Sequence, residues 1–221
     1  MTVISHSLNI LKWPIGAVTL SLLPTTILTL LELFIELLTD LAPISSFLVG
    51  MVLYVVLDKL LFSRRFMGSA FSTFEHELTH AIFAWLSFHR VQNLKVTWNS
   101  GGMIQIVGGH NWLIAIAPYW FPTLCLPFMV MSYLGSFAGA WWVAAGLGAT
   151  YCYTVLSTWR ETHRQQTDLQ YTSFLFAWLF LPTANLVTMG VILAFAHGGF
   201  GEAFGFLGQV MERYMGMISG G

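Results

Sequence analysis

The chain has 221 residues, of which 56% are hydrophobic and only 9% charged, against about 25% charged in an average soluble domain. Nine Lys and Arg face ten Asp and Glu, so no basic surface exists for nucleic acid. A single soluble core could not hide this much apolar surface, and lipid is expected to cover the remainder.

Six stretches approach the roughly 20 apolar residues that a spanning helix needs: 15–38, 44–62, 68–88, 112–134, 137–159 and 171–196. The N-terminal run from Trp13 is too long for a signal-peptide core and is followed by no small-residue cleavage site, so it reads as a retained membrane segment. In the first stretch Glu32 and Glu36 fall four apart and share one helix face. In the third, ionisable residues gather inside an apolar helix. Residues 90–109 break the pattern: Val91, Leu94, Val96 and Trp98 precede an Asn99-Ser100-Gly101-Gly102 turn, and Met103, Ile104, Ile106 and Val107 follow. Two short β-prone runs around such a turn predict a hairpin, which must lie at the interface or against protein because its edges cannot face lipid. Asn111, Pro118 and Pro122 open the fourth stretch as a polar and helix-breaking cluster. Cys125 and Cys152, the only cysteines, read as small buried hydrophobes and exclude a disulfide framework or a cysteine-built zinc site. The tail, 198–221, is an amphipathic segment. The expected fold class is an all-α membrane protein of about six transmembrane helices with a short β-hairpin after the third. Residues 1–221 form one integral membrane domain, its core at 68–197.

The third stretch contains His76-Glu77-Leu78-Thr79-His80, an H-E-x-x-H pattern. Residues four apart share a helix face, so both imidazoles can reach one metal ion, with Glu77 beside them to take a proton from water. Two histidines and a water leave catalytic zinc one protein ligand short. Asp168, His163, His110, Asp58 and Glu32 are the distant candidates. If the motif helix runs from side A to side B, the hairpin, His110, His163 and Asp168 all fall on side B and Asp58 towards A. That topology favours Asp168, with His163 and His110 behind it.

The motif helix, the hairpin after it and Asp168 at a membrane-helix end resemble the site-2 protease class of intramembrane zinc metalloproteases. The likeness is closest to its small bacterial branch and covers about 68–185. It implies Zn2+ held by His76, His80 and Asp168, and Glu77 as catalytic base. It also implies a sheet that holds substrate in extended form. The chain departs from the family pattern where Thr79 replaces a Gly and where Thr167-Asp168-Leu169 replaces Leu-Asp-Gly. Lys12, Arg64, Arg65 and Arg213 fall on side A and Arg90, Lys95, Arg160 and Arg164 on side B, so the charge rule selects no orientation; the resemblance puts side B in the cytoplasm.

The expected function is hydrolysis of membrane-anchored or membrane-associated proteins, that is, regulated intramembrane proteolysis, in a multi-pass protein of a bacterial inner membrane. Its partners are a membrane protein substrate, the lipid bilayer and a regulatory membrane protein. The alternative is a non-catalytic scaffold that retains a protease-like metal site. A di-iron oxidase needs more histidines than the seven present, and a transporter leaves the hairpin and the motif unexplained.

Overall fold

In the apolar N-terminal run, which Pro14 and Pro24 interrupt in the sequence, a helical break falls just before Pro24. The structure, a computed structural model, describes residues 3–62, 68–97, 101–134, 139–163 and 165–220. Arg64, Arg65 and Arg164 of the charge comparison, Trp98, Asn99 and Ser100 of the expected hairpin, and 137–138 of the fifth stretch lie outside the described residues. Helices α1 (Val3–Ser21) and α2 (Leu23–Thr39) meet at an angle of 44°. Pro24 stands in the first turn of α2, where it offers no N–H to the preceding turn and disfavours helix at the residue before it.

Helix α3 (Ser45–Leu57) runs on into a π turn, Asp58–Phe62, and packs closely along α7 (Trp141–Glu161). A Cβ added at Gly50 would stand 1.9 Å from the Ala145 carbonyl oxygen, and one at Gly148 would stand 1.9 Å from that of Phe47. The two backbones are therefore in direct contact, as small residues allow between membrane helices.

The expected motif helix is α4 (Gly68–Leu86). Glu75, Thr79, His80, Ala81, Phe83 and Ala84 are buried, whereas Phe71, Phe74 and Trp85 are exposed. At its end Phe88 takes a positive φ of 58°, and His89 N donates to Ala84 O at 2.8 Å. This closing bond reverses the chain into the hairpin of β1 (Arg90–Thr97) and β2 (Gly101–Val107), paired antiparallel from Arg90↔Val107 to Thr97↔Gly101. An irregularity between Val91 and Asn93 keeps Val91, Leu94 and Val96 half-buried while Asn93 and Lys95 are exposed. Val91 and Ile106 pack with Phe83 and Ala84 of α4, so the sheet rests on protein.

The fourth apolar stretch is not one rod. It divides into α5 (Trp112–Ile116), a 3-10 turn (Ala117–Tyr119) and α6 (Cys125–Tyr133). Pro118 and Pro122 each lack the N–H that would continue the helical ladder. After α7 comes the short α8 (Thr167–Thr172), then Ser173 at φ 70°, then α9 (Phe174–Ser219). Helix α9 is bent at Gly198 and Gly199, which leave helical geometry. The arm after the bend returns along the first, so that a Cβ at Gly190 would stand 2.0 Å from the Phe206 ring. Leu30, Leu33, Phe47, Ile192, Phe195 and Phe206 belong to one core, and Trp112, Tyr119, Leu169 and Phe176 to a second beneath the site. The chain is thus largely helical with a short two-stranded sheet. Among the described residues, α9 is long and apolar enough to cross a bilayer, as is the bent pair α1–α2 taken together.

The α3–α7 contact leads to a stability prediction. Gly148→Val should lower the unfolding temperature in detergent, with a loss of about 1–3 kcal/mol from overpacking. Gly208→Ala, at a helical glycine with open space around it, should leave it unchanged or raise it slightly, because alanine loses less backbone entropy on folding. Equal unfolding temperatures for wild type and Gly148→Val would remove the close contact from the account of stability.

Candidate metal centre

Both motif imidazoles present Nε2 to the same carboxylate oxygen. His76 Nε2 and His80 Nε2 each lie 3.3 Å from Asp168 Oδ2, and the ligand atoms of these three residues all fall within 4.8 Å of one another. His80 is 3% exposed, and His76 and Asp168 are half-buried. The two rings stand edge to face, centroids 4.8 Å apart, as one helical turn between positions 76 and 80 requires.

The outward nitrogens decide the chemistry. His80 Nδ1 lies 2.7 Å from the Ile114 carbonyl oxygen. That carbonyl is available because the residue four positions on is Pro118, which has no N–H to offer. His76 Nδ1 lies 3.1 Å from Glu161 Oε2, at the last turn of α7. Glu161 is fixed in turn by Ser157 Oγ at 3.0 Å and by Ser72. Burial would raise the Glu161 carboxyl, but hydrogen bonds with His76 and Ser72 hold it below its ordinary value. A carbonyl and a carboxylate can only accept, so each Nδ1 donates, and each Nε2 is the nitrogen left to face Asp168 and to serve a metal ion once its proton is displaced. Burial opposes ionisation of Asp168, yet its bonds with His76 and His80 keep its carboxyl far below the usual carboxylate range. Three groups that can act as ligands therefore converge, a donor set that fits a cation.

Zinc fits this geometry. Ligand bonds of about 2.0–2.1 Å in a tetrahedron put neighbouring donor atoms roughly 3.3–3.4 Å apart, the separation of Asp168 Oδ2 from each Nε2. Outer partners of the kind Glu161 and Ile114 supply are those that orient metal-bound histidines.

Glu77 follows His76 on α4 and lies beneath the start of β2. A Cβ at Gly102 would stand 2.5 Å from Glu77 Cγ and 2.7 Å from Glu77 Oε1. The absence of a side chain at Gly102 lets the strand cross directly over this carboxylate. Of the other candidate ligands, the two carboxylates are engaged elsewhere. Asp58 pairs with Arg160 at 2.9 Å and Glu32 pairs with Arg213. His163 is exposed and meets Gln166 at 3.4 Å. His110 stands near His80, centroids 6.1 Å apart, with Tyr171 Oη donating to its carbonyl at 2.7 Å.

Sequence reasoning missed Glu161, which reads as a charged helix end beside Arg160. The available signal was Ser157 four residues earlier on the same face. Asn111, singled out with the prolines, caps α5 by accepting from Ile114 N at 3.0 Å, which holds the Ile114 carbonyl in line with His80.

A model of the Peptidase M50B-like family matches residues 47–203, well over half of the chain. The chain belongs to the Peptidase M50B-like family. The match opens in α3, takes in the motif helix, hairpin and α8, and closes just past the bend of α9. Membership puts this M50B-like protein among membrane-embedded peptidases that are in general zinc-dependent. No curated protein and no solved structure matches it.

Two variants separate the outer parts of the site. Glu161→Ala should weaken zinc binding about 10–100-fold, read by competition with a chelator, because His76 loses the acceptor that fixes its ring. Unchanged affinity would show that Glu161 plays no part in holding the imidazole. Gly102→Val should leave zinc content intact but displace Glu77, reducing peptide hydrolysis on the order of 100-fold. Full hydrolysis by this variant would contradict a role for the close strand crossing.

Proposed function

We propose that this M50B-like protein is an intramembrane zinc endopeptidase that cuts membrane-anchored or membrane-associated proteins. The observation carrying this reading is the convergence of His76 Nε2 and His80 Nε2 on Asp168 Oδ2, 3.3 Å from each, with Glu77 alongside beneath β2. His76, His80 and Asp168 would hold the ion. When bound, zinc supplies a water of lowered pKa and polarises a carbonyl. Glu77 takes the proton of the attacking water and returns it to the leaving amine. Glu161 and the Ile114 carbonyl keep both imidazoles aimed at the ion throughout.

A peptide bond inside a helix is shielded by its own hydrogen bonds, so substrate must be unwound before attack. The free edge of β2 supports this role, since it offers replacement backbone partners next to Glu77. The reading extends to a multi-pass topology in which all six apolar stretches enter the bilayer, the fourth in broken form. Exposed Ile10, Ile35, Val52, Trp141, Val155 and Trp178 supply the lipid-facing surface that this topology needs.

Purified protein should carry about one zinc per chain, lost in His76→Ala, His80→Ala and Asp168→Ala because two protein ligands hold zinc poorly. Glu77→Gln should keep the zinc and lose hydrolysis of an unstructured protein such as β-casein. Zinc retained by the His76→Ala, His80→Ala double variant would refute the site. A zinc-loaded wild type that cuts nothing would favour the scaffold alternative.

The substrate edge has its own test. Successive residues of a strand direct their N–H groups to opposite sides, so of Met103→Pro and Ile104→Pro one removes an outward donor. That variant should lower cleavage with zinc unchanged. Full activity in both, together with crosslinks from a trapped substrate confined to α6 and α7, would reject strand addition.

A further inference from the structure

Tyr119 lies in the 3-10 turn between α5 and α6 and is 1% exposed. Its ring stands edge to face against His76, centroids 5.4 Å apart. Its hydroxyl is buried and faces the Asp168 carboxylate, with Glu161 and Glu77 also within electrostatic reach. The Asp168 carboxylate is within hydrogen-bonding reach of it, but among the described residues the hydroxyl completes no hydrogen bond of normal geometry. A buried hydroxyl left without a partner lowers stability, and such a group at the edge of a catalytic centre calls for a reason.

The phenol is held firmly. Its ring belongs to the core of Trp112, Ile116, Leu169 and Phe176, and Asn185 Nδ2 donates to the Tyr119 carbonyl at 3.1 Å. Of the carboxylates near the hydroxyl, Asp168 already meets His76 and His80, and Glu161 meets His76, Ser72 and Ser157. What arrives only during reaction is the oxygen of the carbonyl under attack, which gains negative charge as its carbon becomes tetrahedral. A rigid donor preset for charge that develops later is the arrangement that lowers a barrier rather than merely tightening binding.

We propose that Tyr119 is a catalytic residue that donates a hydrogen bond to the developing oxyanion. The inference rests on the peptidase reading above. As water attacks, a carbon–oxygen bond forms and the carbonyl π pair moves onto its oxygen, while Glu77 takes the water proton. Tyr119 keeps its own proton and contributes only the hydrogen bond. When the pair returns, the carbon–nitrogen bond breaks and Glu77 gives its proton to the departing amine.

The test compares full-length wild type with Tyr119→Phe in detergent. The readouts are β-casein hydrolysis, zinc dissociation constant, unfolding temperature and affinity for an apolar dipeptide phosphinate, whose tetrahedral oxygens mimic the charged intermediate. Tyr119→Phe should lower kcat about 100- to 1,000-fold with KM nearly constant. It should weaken the phosphinate comparably and leave zinc affinity unchanged. The unfolding temperature should hold or rise, since the variant deletes a buried hydroxyl that completes no hydrogen bond of normal geometry. Unchanged kcat and phosphinate affinity overturn the proposal. So does a loss of zinc affinity or of unfolding temperature, which would make Tyr119 a support for Asp168 instead. If the wild type itself binds zinc but neither cuts casein nor prefers the phosphinate over a plain dipeptide, the peptidase reading fails and takes this inference with it.

Discussion

A buried imidazole has two nitrogens to satisfy, and in this protein both outward positions are taken by groups that can only accept. The Glu161 carboxylate and the Ile114 carbonyl fix Nδ1 of His76 and His80 as donors, which leaves both Nε2 atoms facing Asp168. That convergence of two imidazoles and a carboxylate in a largely buried setting is a group that could hold a metal ion. The surrounding fold can be understood as what brings these three side chains together.

Several departures from regular structure serve this end. Pro118 breaks the fourth apolar stretch and in doing so frees the carbonyl that His80 uses. The contact of α3 with α7 through Gly50 and Gly148 sets the position of α7, whose final turn delivers Glu161 to His76. Positive φ at Phe88 and Ser173 turns the chain sharply at both ends of the site, once into the hairpin and once out of the segment bearing Asp168. Strain and helix breaks concentrate around functional groups because the packing elsewhere can sustain them.

The hairpin solves a separate problem. A β-sheet with free edges is excluded from lipid, and here it rests on α4, with Gly102 letting β2 pass over Glu77. The same absence of a side chain that allows the crossing brings β2 directly over the Glu77 carboxylate. Support of the sheet on α4 and the placing of a strand beside Glu77 are thus two consequences of one close packing contact.

The sequence determined what depends on short-range periodicity and composition. Low charge announced the membrane class, and the 3.6-residue repeat put His76 and His80 on one face. Asn, Ser and Gly between β-prone runs announced the hairpin, found as β1 and β2. Asp168 was one of several candidates for the third position, because nothing in Thr167-Asp168-Leu169 states which distant helix it will face. Tertiary structure decided that, by pairing Asp58 with Arg160 and Glu32 with Arg213 and by bringing α8 under α5. It also placed Glu161 and Tyr119 against His76, and set the breaks in the first and fourth stretches and the fold-back of α9. Those features follow from contacts between residues many tens of positions apart, or from a proline whose effect depends on which neighbour takes the freed carbonyl. Helical and strand periods carry no information about either.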